Sequence, residues 1–579
     1  MGTRATLRNS YLYNMKKILF AFSTLILFSL STHGQSWLWA KQATPGSKSS
    51  FGEPLGDHTI QLDKSGNIYS VGYFVDTLIF GYDTLKTRRY RLIDAYLVKY
   101  SSNGNAIWAK QSLGYSETEG NSLAVDKMNN SYITGTFYDT TLFGPYILPG
   151  LSTNVFIAKY DSNGSLLWAH SGENTPEAWG NSVAVDDSGN TFITGWFLDS
   201  VSFGIFTLKS NIIQMFLVKY NPSGGVVWAK QTTKATSNGG AEGNTVIADH
   251  NGNIYIAGNF GDTVIFSGDT LYNPEQDIFL TKYDRNGNVK WVKKGRSPKG
   301  NSLATPYCLA YGGDNDIYLT GYFQDTLLIG SNKLIAYPYT EAFVAKFDTD
   351  GQNIWAKQTY SLIHNYYWVG SSIACDTLIK GGANLVLVEA GPSPHKVIFS
   401  ADTFELNNSF NSATLLLRID SSGQVLCRTV FDEGNEDDGD GIITNKSGTL
   451  VYIAGDIDDT TIFGPDTLVY GNDVTFLAQW QPCNDTLIVT SAPPTIQPSI
   501  TLYPNPSNGI FTILTVGVQN FVPATIEIYN MMGEQIKSEE LKVKSEEINL
   551  SNEPNGVYFY RVLKEDGGLI GEGKIIIQH

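Results

Sequence analysis

The sequence predicts an all-β protein: a seven-bladed β-propeller closed by its N-terminal strand and followed by a small Ig-like β-sandwich. A Trp-anchored segment recurs along most of the 579 residues, each copy divides into four strand-like runs, and the repetition stops well before the C-terminus. The composition agrees, because 57 Gly, 32 Tyr and 29 Phe with only 17% charged residues suit short strands joined by tight turns.

The charge balance and the cysteines narrow the function classes. Lys plus Arg is 40 and Asp plus Glu is 56, which gives a net charge of −16, so we do not expect nucleic acid as a partner. Cys308, Cys375, Cys427 and Cys483 form no Cys-x-x-Cys pair. This spacing argues against a zinc knuckle and a disulfide-dense scaffold, and it leaves the state of the thiols open.

The N-terminal residues have the order of a secretory signal peptide. Lys16 and Lys17 precede an apolar run from Ile18 to Leu30, and small residues follow. We assign residues 1–34 to this signal, with Met15 as the natural start. The run is shorter than the ~20 residues that span a bilayer, so no transmembrane anchor is expected.

The repeat is marked by a tryptophan at intervals of 60 to 69 residues. We interpret these residues as structural, because one large ring at a fixed strand position suits packing between neighbouring blades. They are Trp39, Trp108, Trp168, Trp228, Trp291 and Trp355, and Cys427 takes the same place in a further copy.

Each copy reads as four antiparallel strands. Alternating runs such as NSVAVDDSGNTFITGWF, from Asn181 to Phe197, predict a hairpin joined by an Asp-x-x-Gly turn. The last copy lacks its fourth strand, and one unmatched copy of that strand stands at Trp37 to Gln42. We therefore expect residues 35–484 to close into a ring of seven blades in which the first strand completes the last blade.

These repeats resemble the SBBP family of β-propeller repeats found in secreted bacterial proteins. The resemblance rests on stretches such as NTFITGWF and FLVKYNPSGGVVWAKQ and extends over about residues 36–484. The sixth copy departs most, since Cys427 replaces its tryptophan.

After a linker at 485–498, residues 499–579 resemble the type A C-terminal sorting domain of the type IX secretion system. The strand pattern of this segment alone predicts a small β-sandwich of about seven strands. The resemblance implies that the domain is an export address for the type IX machinery and that the protein is secreted or attached to the cell surface after Sec export. The residues that carry the signal are Tyr503, Pro504, Asn505, Pro506, Gly509, Gly556 and Lys574.

The direction of the strands locates the expected binding face. The connections between second and third strands, and between successive copies, lie at one end of the blades, and these are the long and varied loops. The candidate ligand-binding residues on this face are Trp179, Tyr366, Tyr367 and Trp368, which we place in loops as a carbohydrate platform, and Arg88 and Arg89. Aromatic residues that cap the edge of the core are the alternative.

Calcium is the one cofactor considered, and otherwise none is expected. Asp437, Asp438 and Asp440 offer oxygen ligands but lack a calcium-loop register, so a solvated acidic run is the alternative.

Catalytic motifs such as Gly-x-Ser-x-Gly and His-Glu-x-x-His do not occur in the sequence. We therefore expect a non-catalytic, exported, monomeric propeller that binds a glycan or a protein through its long-loop face. The alternative is an extracellular propeller enzyme that acts on polysaccharide or peptide.

Overall fold

The computed structural model describes residues 35–47, 51–54, 58–234, 239–297, 303–361, 368–375, 384–390, 396–399, 402–405, 412–433, 438–457, 460–469, 474–483, 499–503, 507–516, 524–541, 545–564 and 569–579. Across these ranges the chain forms strands and turns but no helix, which confirms the all-β prediction. Consequently, no described segment is a helix suited to crossing a membrane. The predicted signal peptide at 1–34 lies outside the described residues. The chain divides into two compact units, Met1–Leu487 and Ile488–His579, and each is described by itself.

In the N-terminal unit, antiparallel strands pair in groups of four in the order first, second, third, fourth. Three of these groups are separate four-stranded sheets, and the other groups are joined within a nine-stranded and an eleven-stranded sheet. We number these four-stranded repeats 1 to 7 along the chain. The first strands are Ile60–Leu62, Thr118–Val125, Glu177–Val185, Gly240–Ala248, Ala304–Tyr311, Trp368–Cys375 and Asp438–Thr444. The second strands are Ile68–Val75, Ser131–Tyr138, Thr191–Phe203, Ile254–Phe266, Ile317–Ile329, Asn384–Ala390 and Val451–Ile457.

The outer half of each repeat consists of its third and fourth strands. The third strands are Ile93–Tyr100, Thr153–Tyr160, Phe206–Tyr220, Asp269–Tyr283, Asn332–Phe347, Ser412–Ile419 and Val474–Gln481. The fourth strands are Ala106–Gln111, Leu166–Ser171, Val226–Gln231, Val289–Arg296, Asn353–Ser361, Val425–Glu433 and, for the last repeat, Ser36–Gln42. Short additional strands are Thr44–Pro45, Phe51–Glu53, Thr77–Phe80, Asp83–Lys86, Thr141–Phe143, Tyr146–Leu148, Thr233–Lys234, Lys396–Phe399, Asp402–Glu405, Thr461–Phe463 and Asp466–Leu468.

The two ends of the repeat region share one sheet. Ser36–Gln42 pairs antiparallel with Val474–Gln481, with Ala40 opposite Ala478. The predicted pairing of the strand at Trp37 to Gln42 with the last repeat is therefore present. Each first strand contacts the first strand of the next repeat, and Asp438–Thr444 of repeat 7 contacts Ile60–Leu62 of repeat 1. Among the described strands, no single hydrogen-bonded sheet closes on itself.

The Asp-x-x-Gly segments form tight turns, as the sequence predicts. In the turn from Asp161 to Gly164, the amide of Gly164 donates to the carbonyl oxygen of Asp161 at 3.0 Å. The Asp161 carboxylate accepts from the amides of Asn163 and Ser165 at 2.9 and 2.8 Å. Gly164 has φ +80°, a conformation that side chains with a Cβ rarely adopt.

The hydrophobic core lies between neighbouring sheets. One cluster joins Tyr132, Val155 and Ile157 of repeat 2 to Val183 and Phe216 of repeat 3. A single repeat of this length cannot bury its own apolar faces. Those faces are therefore buried by packing against the neighbouring sheets.

In several repeats, a lysine and a tryptophan attach one sheet to the turn of the next. Lys159 Nζ and Trp168 Nε1 of repeat 2 both donate to the Pro222 carbonyl oxygen of repeat 3, at 3.1 and 3.3 Å. Lys159 Nζ also lies 4.8 Å from the centre of the Tyr132 ring. A Cβ at Gly224, in that same turn, would come within 2.9 Å of the Trp168 ring, so the turn needs glycine for space as well as for its φ of +87°.

The same shared acceptor recurs in other repeats. Lysine and tryptophan donate together to the carbonyl oxygens of Ser162, Thr349 and Ser421. Trp108 and Trp168 are 7% and 6% exposed, whereas Trp39, Trp228, Trp291 and Trp355 are half-buried. These rings lie between an outer strand and the neighbouring turn, which leaves one edge of several of them open to solvent.

Repeat 6 uses a different attachment. Cys427, in the tryptophan position, forms a disulfide with Cys483, which follows the third strand of repeat 7 where other repeats have their turn. Arg418, in the lysine position, donates to the carbonyl oxygen of Cys483. Cys308 and Cys375 are not part of a disulfide. Repeat 6 is therefore attached to the next repeat at the same place, but by a disulfide and an arginine instead of a tryptophan and a lysine.

The C-terminal unit has two antiparallel sheets that enclose a small core. Its described strands are Ser499–Tyr503, Ile510–Val516, Ala524–Tyr529, Gln535–Leu541, Ser545–Asn549, Gly556–Lys564 and Leu569–Ile577. The first, second and fifth of these form one sheet, and the other four form the second. Phe511, Ile526, Ile548, Val562 and Ile575 are among the core residues. Seven strands in two sheets agree with the sandwich that the sequence predicts.

Candidate functional site

Equivalent residues in the first strands of successive repeats lie side by side. Asn121 Nδ2 donates to the carbonyl oxygen of Gly180 in the next first strand at 3.0 Å. Asn181 makes the same bond to Gly243 at 3.0 Å. Neighbouring first strands are therefore aligned in the same register. They begin at the end of the sheets that carries the long loops, which we call the loop end.

Aromatic pairs stand at the loop end of repeats 1, 3 and 5. Trp179 lies opposite Trp196 across the strands of repeat 3, and the two rings stack with centroids 5.8 Å apart. Tyr307 and Tyr322 of repeat 5 have ring centroids 5.6 Å apart. Tyr307 is 37% exposed, and both tryptophans are half-buried. These rings therefore present polarizable surface to solvent from rigid strands.

The third aromatic pair, in repeat 1, is joined to a carboxylate. Phe51 and Tyr73 meet edge to face at 6.3 Å. The Tyr73 hydroxyl donates to Glu53 Oε2 at 2.5 Å, and Glu53 lies opposite Tyr73 in the sheet. Burial and the hydrogen bond to Glu53 raise the pKa of Tyr73 above its usual value, so the phenol is a fixed donor.

Glutamates occupy the corresponding positions of repeats 2 and 4. Glu119 lies opposite Thr136, and Glu242 lies opposite Asn259. Burial raises the pKa of Glu119, with a further contribution from the nearby Glu117 and Glu53 carboxylates. Burial also raises the pKa of Glu242. Aromatic pairs thus alternate with half-buried carboxyl groups from repeat 1 to repeat 5.

We refer to Phe51, Glu53, Tyr73, Glu119, Trp179, Trp196, Glu242, Tyr307 and Tyr322 as the loop-end site. Aromatic faces stack on the apolar faces of sugar rings, and carboxyl groups accept hydrogen bonds from hydroxyls. The arrangement can therefore bind a polyhydroxylated ligand along a curved path from one repeat to the next.

Two of the predicted platform residues lie in strands rather than loops, which corrects the sequence interpretation. Trp179 is inside strand Glu177–Val185, and Trp368 is the first residue of strand Trp368–Cys375. The first strands begin earlier than the repeat pattern suggested, because a β-bulge after Gly180 lets the pairing continue toward the loop end. Tyr366 and Tyr367 lie outside the described residues.

Arg88 and Arg89 lie in a loop, as predicted, and line a pocket of about 300 Å³ with Leu92, Gly114 and Tyr115. The Arg88 guanidinium carbon lies 4.8 Å from the centre of the Tyr115 ring. This pocket belongs to repeat 1 and to its connection to repeat 2, also at the loop end.

The acidic run proposed for calcium is only partly described. Asp437 lies outside the described residues, Asp438 opens a strand opposite Asp456, and Asp440 lies in the same strand. In the part of the chain that can be assessed, no group of three or more His, Cys, Asp or Glu side chains is arranged to hold a metal ion. Calcium at Asp437, Asp438 and Asp440 stays a prediction.

The sequence interpretation missed most of the loop-end site, although the signal was present. Tyr73, Trp196 and Tyr322 each stand between a glycine and a phenylalanine near the end of a second strand. Glu119, Trp179 and Glu242 each stand directly before a glycine and then an asparagine. Both positions vary in chemistry while their neighbours recur, which is the pattern of a binding position on a fixed scaffold.

The described residues of the sorting signal lie in the C-terminal unit. Tyr503 ends a strand, Gly556 begins one, and Lys574 lies opposite Phe559 in the last strand. Gly509 has φ +93°, and its carbonyl oxygen accepts from the Leu550 amide at 2.6 Å. Pro504, Asn505 and Pro506 lie outside the described residues.

Residues 501–578 match the secretion system C-terminal sorting domain. The match confirms the predicted address and with it the type IX secretion machinery as a partner. The protein is therefore exported through type IX secretion, either to the cell surface or into the medium.

Other similarities are weaker. A WD repeat-containing protein of Acanthamoeba polyphaga mimivirus is 26% identical over 275 residues, which cover 40% of this chain and 20% of that protein. The chain thus spans about a fifth of the length of this relative. A polysaccharide lyase is 11% identical with a TM-score of 0.40, covering 79% of this chain and 94% of the lyase.

A PL25 ulvan lyase is 10% identical to this chain, with a TM-score of 0.41. The similarity covers 75% of this chain and 97% of the lyase. Similarities of this size do not indicate a shared activity.

Proposed function

We propose that residues 35–484 form a seven-bladed β-propeller of the SBBP type and that this propeller binds a glycan, without catalysis, at the loop-end site. The closed order of contacts among the first strands, and the pairing of Ser36–Gln42 with Val474–Gln481, support the ring. In such a ring the loop-end site curves around the mouth of the central channel.

The observation that carries the glycan assignment is the alternation of aromatic pairs with half-buried glutamates at one level of the first five repeats. Stacked Trp179 and Trp196 supply a sugar-sized platform, and Glu119 and Glu242 flank it in the neighbouring repeats. A specific protein–protein contact generally buries about 800 Å² on each partner, whereas the loop-end site offers paired rings and single carboxyl groups that match the size of sugar units. The glycan is therefore the favoured ligand of the two considered.

The test is a glycan array with the purified, exported chain, followed by titration calorimetry on the best ligands. The variant Trp196→Ala should lower affinity at least tenfold, because stacking on the pair is lost. The control variant is Tyr82→Ala, a fully exposed ring on the hairpin between the second and third strands of repeat 1. Equal affinity of both variants, with unchanged melting temperature, would contradict the proposed site.

The same titrations separate binding from turnover. Analysis of the recovered glycan by mass spectrometry should show unchanged chains after long incubation. Shortened or unsaturated products would overturn the non-catalytic assignment and establish the alternative, an extracellular enzyme acting on polysaccharide.

A further inference from the structure

The pocket described above at the loop end combines two arginines with an aromatic ring. Arg88, Arg89 and Leu92 form one wall, and Gly114 and Tyr115 form the other. The Tyr115 side chain is 51% exposed, and Arg88 covers its ring at 4.8 Å. Among the described residues, neither guanidinium forms an ion pair with a carboxylate. Two cationic groups in a chain of net charge −16 therefore remain free to take an external anion.

Hydrogen bonds to the strands fix the arginine wall. The Thr87 amide donates to the carbonyl oxygen of Asp76 at 2.9 Å. The Thr87 hydroxyl and the Leu92 amide both donate to the carbonyl oxygen of Arg89, at 2.9 and 3.2 Å. These hydrogen bonds hold the loop that carries the arginines as a turn. Binding of a ligand would therefore cost little conformational entropy in this loop.

The opposite wall is fixed from below by a buried carboxyl group. Asp94 is fully buried, and its Oδ1 accepts from the Gly114 amide at 2.6 Å and from the Ser112 hydroxyl at 3.1 Å. The Tyr115 amide donates to the carbonyl oxygen of Thr140 at 2.9 Å. Both walls are therefore anchored independently of any ligand.

We propose that Arg88, Arg89 and Tyr115 form a subsite for the anionic group of an acidic glycan, either a uronate carboxylate or a sulfate ester. This inference rests on the proposed glycan-binding function and specifies its substrate class. A guanidinium offers paired N–H donors to two oxygens of either anion. Tyr115 adds a ring face against which a sugar ring can lie, and it holds the Arg88 plane in place.

The negative net charge of the protein means that an acidic glycan can bind only where basic residues are concentrated. A chain with 56 acidic and 40 basic residues repels a polyanion in general, so binding of one requires a local site. Arg88 and Arg89, which form no ion pair among the described residues, supply such a site at the loop end, where the aromatic pairs also lie.

The experiment titrates the exported chain with dextran sulfate, alginate and neutral dextran. The double variant Arg88→Ala with Arg89→Ala should lose at least tenfold affinity for dextran sulfate, for alginate, or for both, with no change for neutral dextran. Loss with dextran sulfate alone identifies a sulfate subsite, and loss with alginate alone identifies a uronate subsite. The matched control is Arg285→Ala, an exposed arginine in a turn at the opposite end of repeat 4, and it should bind like the wild type.

The outcomes separate this inference from the proposed function. Equal affinity of the double variant and the wild type for both polyanions overturns the subsite, as does an equal loss in the Arg285→Ala control. If Trp196→Ala weakens glycan binding in the same series while the arginine variant does not, the loop-end site stands and the anionic subsite falls. If no glycan of any charge binds, both fall.

Discussion

Cys427 is bonded to Cys483 in the place where the other internal repeats set a tryptophan against the turn of the next sheet. The neighbouring Arg418 keeps the second half of the contact, because it donates to the Cys483 carbonyl oxygen as a lysine does elsewhere. The last two repeats are thus joined covalently, and the bond lies just before the chain leaves the N-terminal unit.

Removing this bond should destabilise the N-terminal unit. The disulfide closes a loop with a sequence separation of 56 residues, for which loop entropy gives roughly 4 kcal/mol. We expect the double variant Cys427→Ser with Cys483→Ser to unfold at lower temperature and at lower urea concentration than the wild type.

The control for this prediction is Cys375→Ser, which replaces a cysteine that is not part of a disulfide. Its midpoint should fall on adding reductant as that of the wild type does. A wild-type midpoint that reductant leaves unchanged would show that the bond contributes nothing to stability.

The hydrogen bonds to the shared carbonyl acceptors predict that substituting two similar tryptophans costs different amounts of stability. Trp168 Nε1 donates to the Pro222 carbonyl oxygen, whereas the buried Trp228 Nε1 has no hydrogen-bond partner among the described residues. Trp168→Phe should therefore cost about 1 kcal/mol more than Trp228→Phe, since only the former loses a hydrogen bond. Urea unfolding of the two variants measures the difference.

Truncation to alanine should be more costly at both positions. We expect Trp228→Ala to lose roughly 3 to 5 kcal/mol through the cavity it leaves. Melting of this variant at the wild-type temperature would show that the ring does not hold neighbouring sheets together.

Asp94 predicts how stability depends on pH. Burial raises its pKa to about 7, so the folded state holds a proton that the unfolded chain, with a pKa of 3.8, releases. Because the folded state binds more protons between these values, stability falls as pH rises from about 4 to 7 and stays low above 7. Asp94→Asn should remove this loss and gain about 1 to 3 kcal/mol at pH 8.

Another repeat of the same protein already has asparagine at the position of Asp94. Asn154 occupies the same position in repeat 2, where its Nδ2 donates to the Gly172 carbonyl oxygen at 2.6 Å. Unfolding measured at pH 4.5 and pH 8 for both proteins checks the prediction. A variant with the same pH dependence as the wild type would contradict it.

Deleting Ser36–Gln42 should expose an edge of the last sheet. Val474–Gln481 would then lack its outer partner, and unpaired strand edges associate with other chains. We expect a lower melting temperature and dimers or larger species in size-exclusion chromatography. Deletion of 499–579 is the control, because the C-terminal unit has its own core. If the shortened chain stays monomeric and equally stable, the pairing is dispensable.

Repetition made much of the fold predictable from sequence. Asp161 and Gly164 could be identified as a turn, and Trp37 to Gln42 as a strand that needs a partner, because each pattern recurs or is conspicuously unmatched. The partners of Trp168 could not be read in the same way, since Lys159 and Pro222 meet it only once the sheets are stacked.

The candidate site was less predictable for a physical reason. The repeat pattern predicts a loop at Trp179, because it does not reveal the bulge that extends the strand, and the prediction does not include Trp196. Their stacking depends on cross-strand register, which a single sequence does not state. The Cys427–Cys483 bond depends likewise on which repeats are neighbours.

Because the two ends of the N-terminal unit share one sheet, that sheet cannot be completed until nearly the whole unit has been synthesised. Ser36–Gln42 precedes its partner strand Val474–Gln481 by more than four hundred residues. The sorting domain begins a short distance beyond that partner, at residue 501. A chain that ends before Val474 therefore lacks both the partner of its first described strand and the domain that directs export.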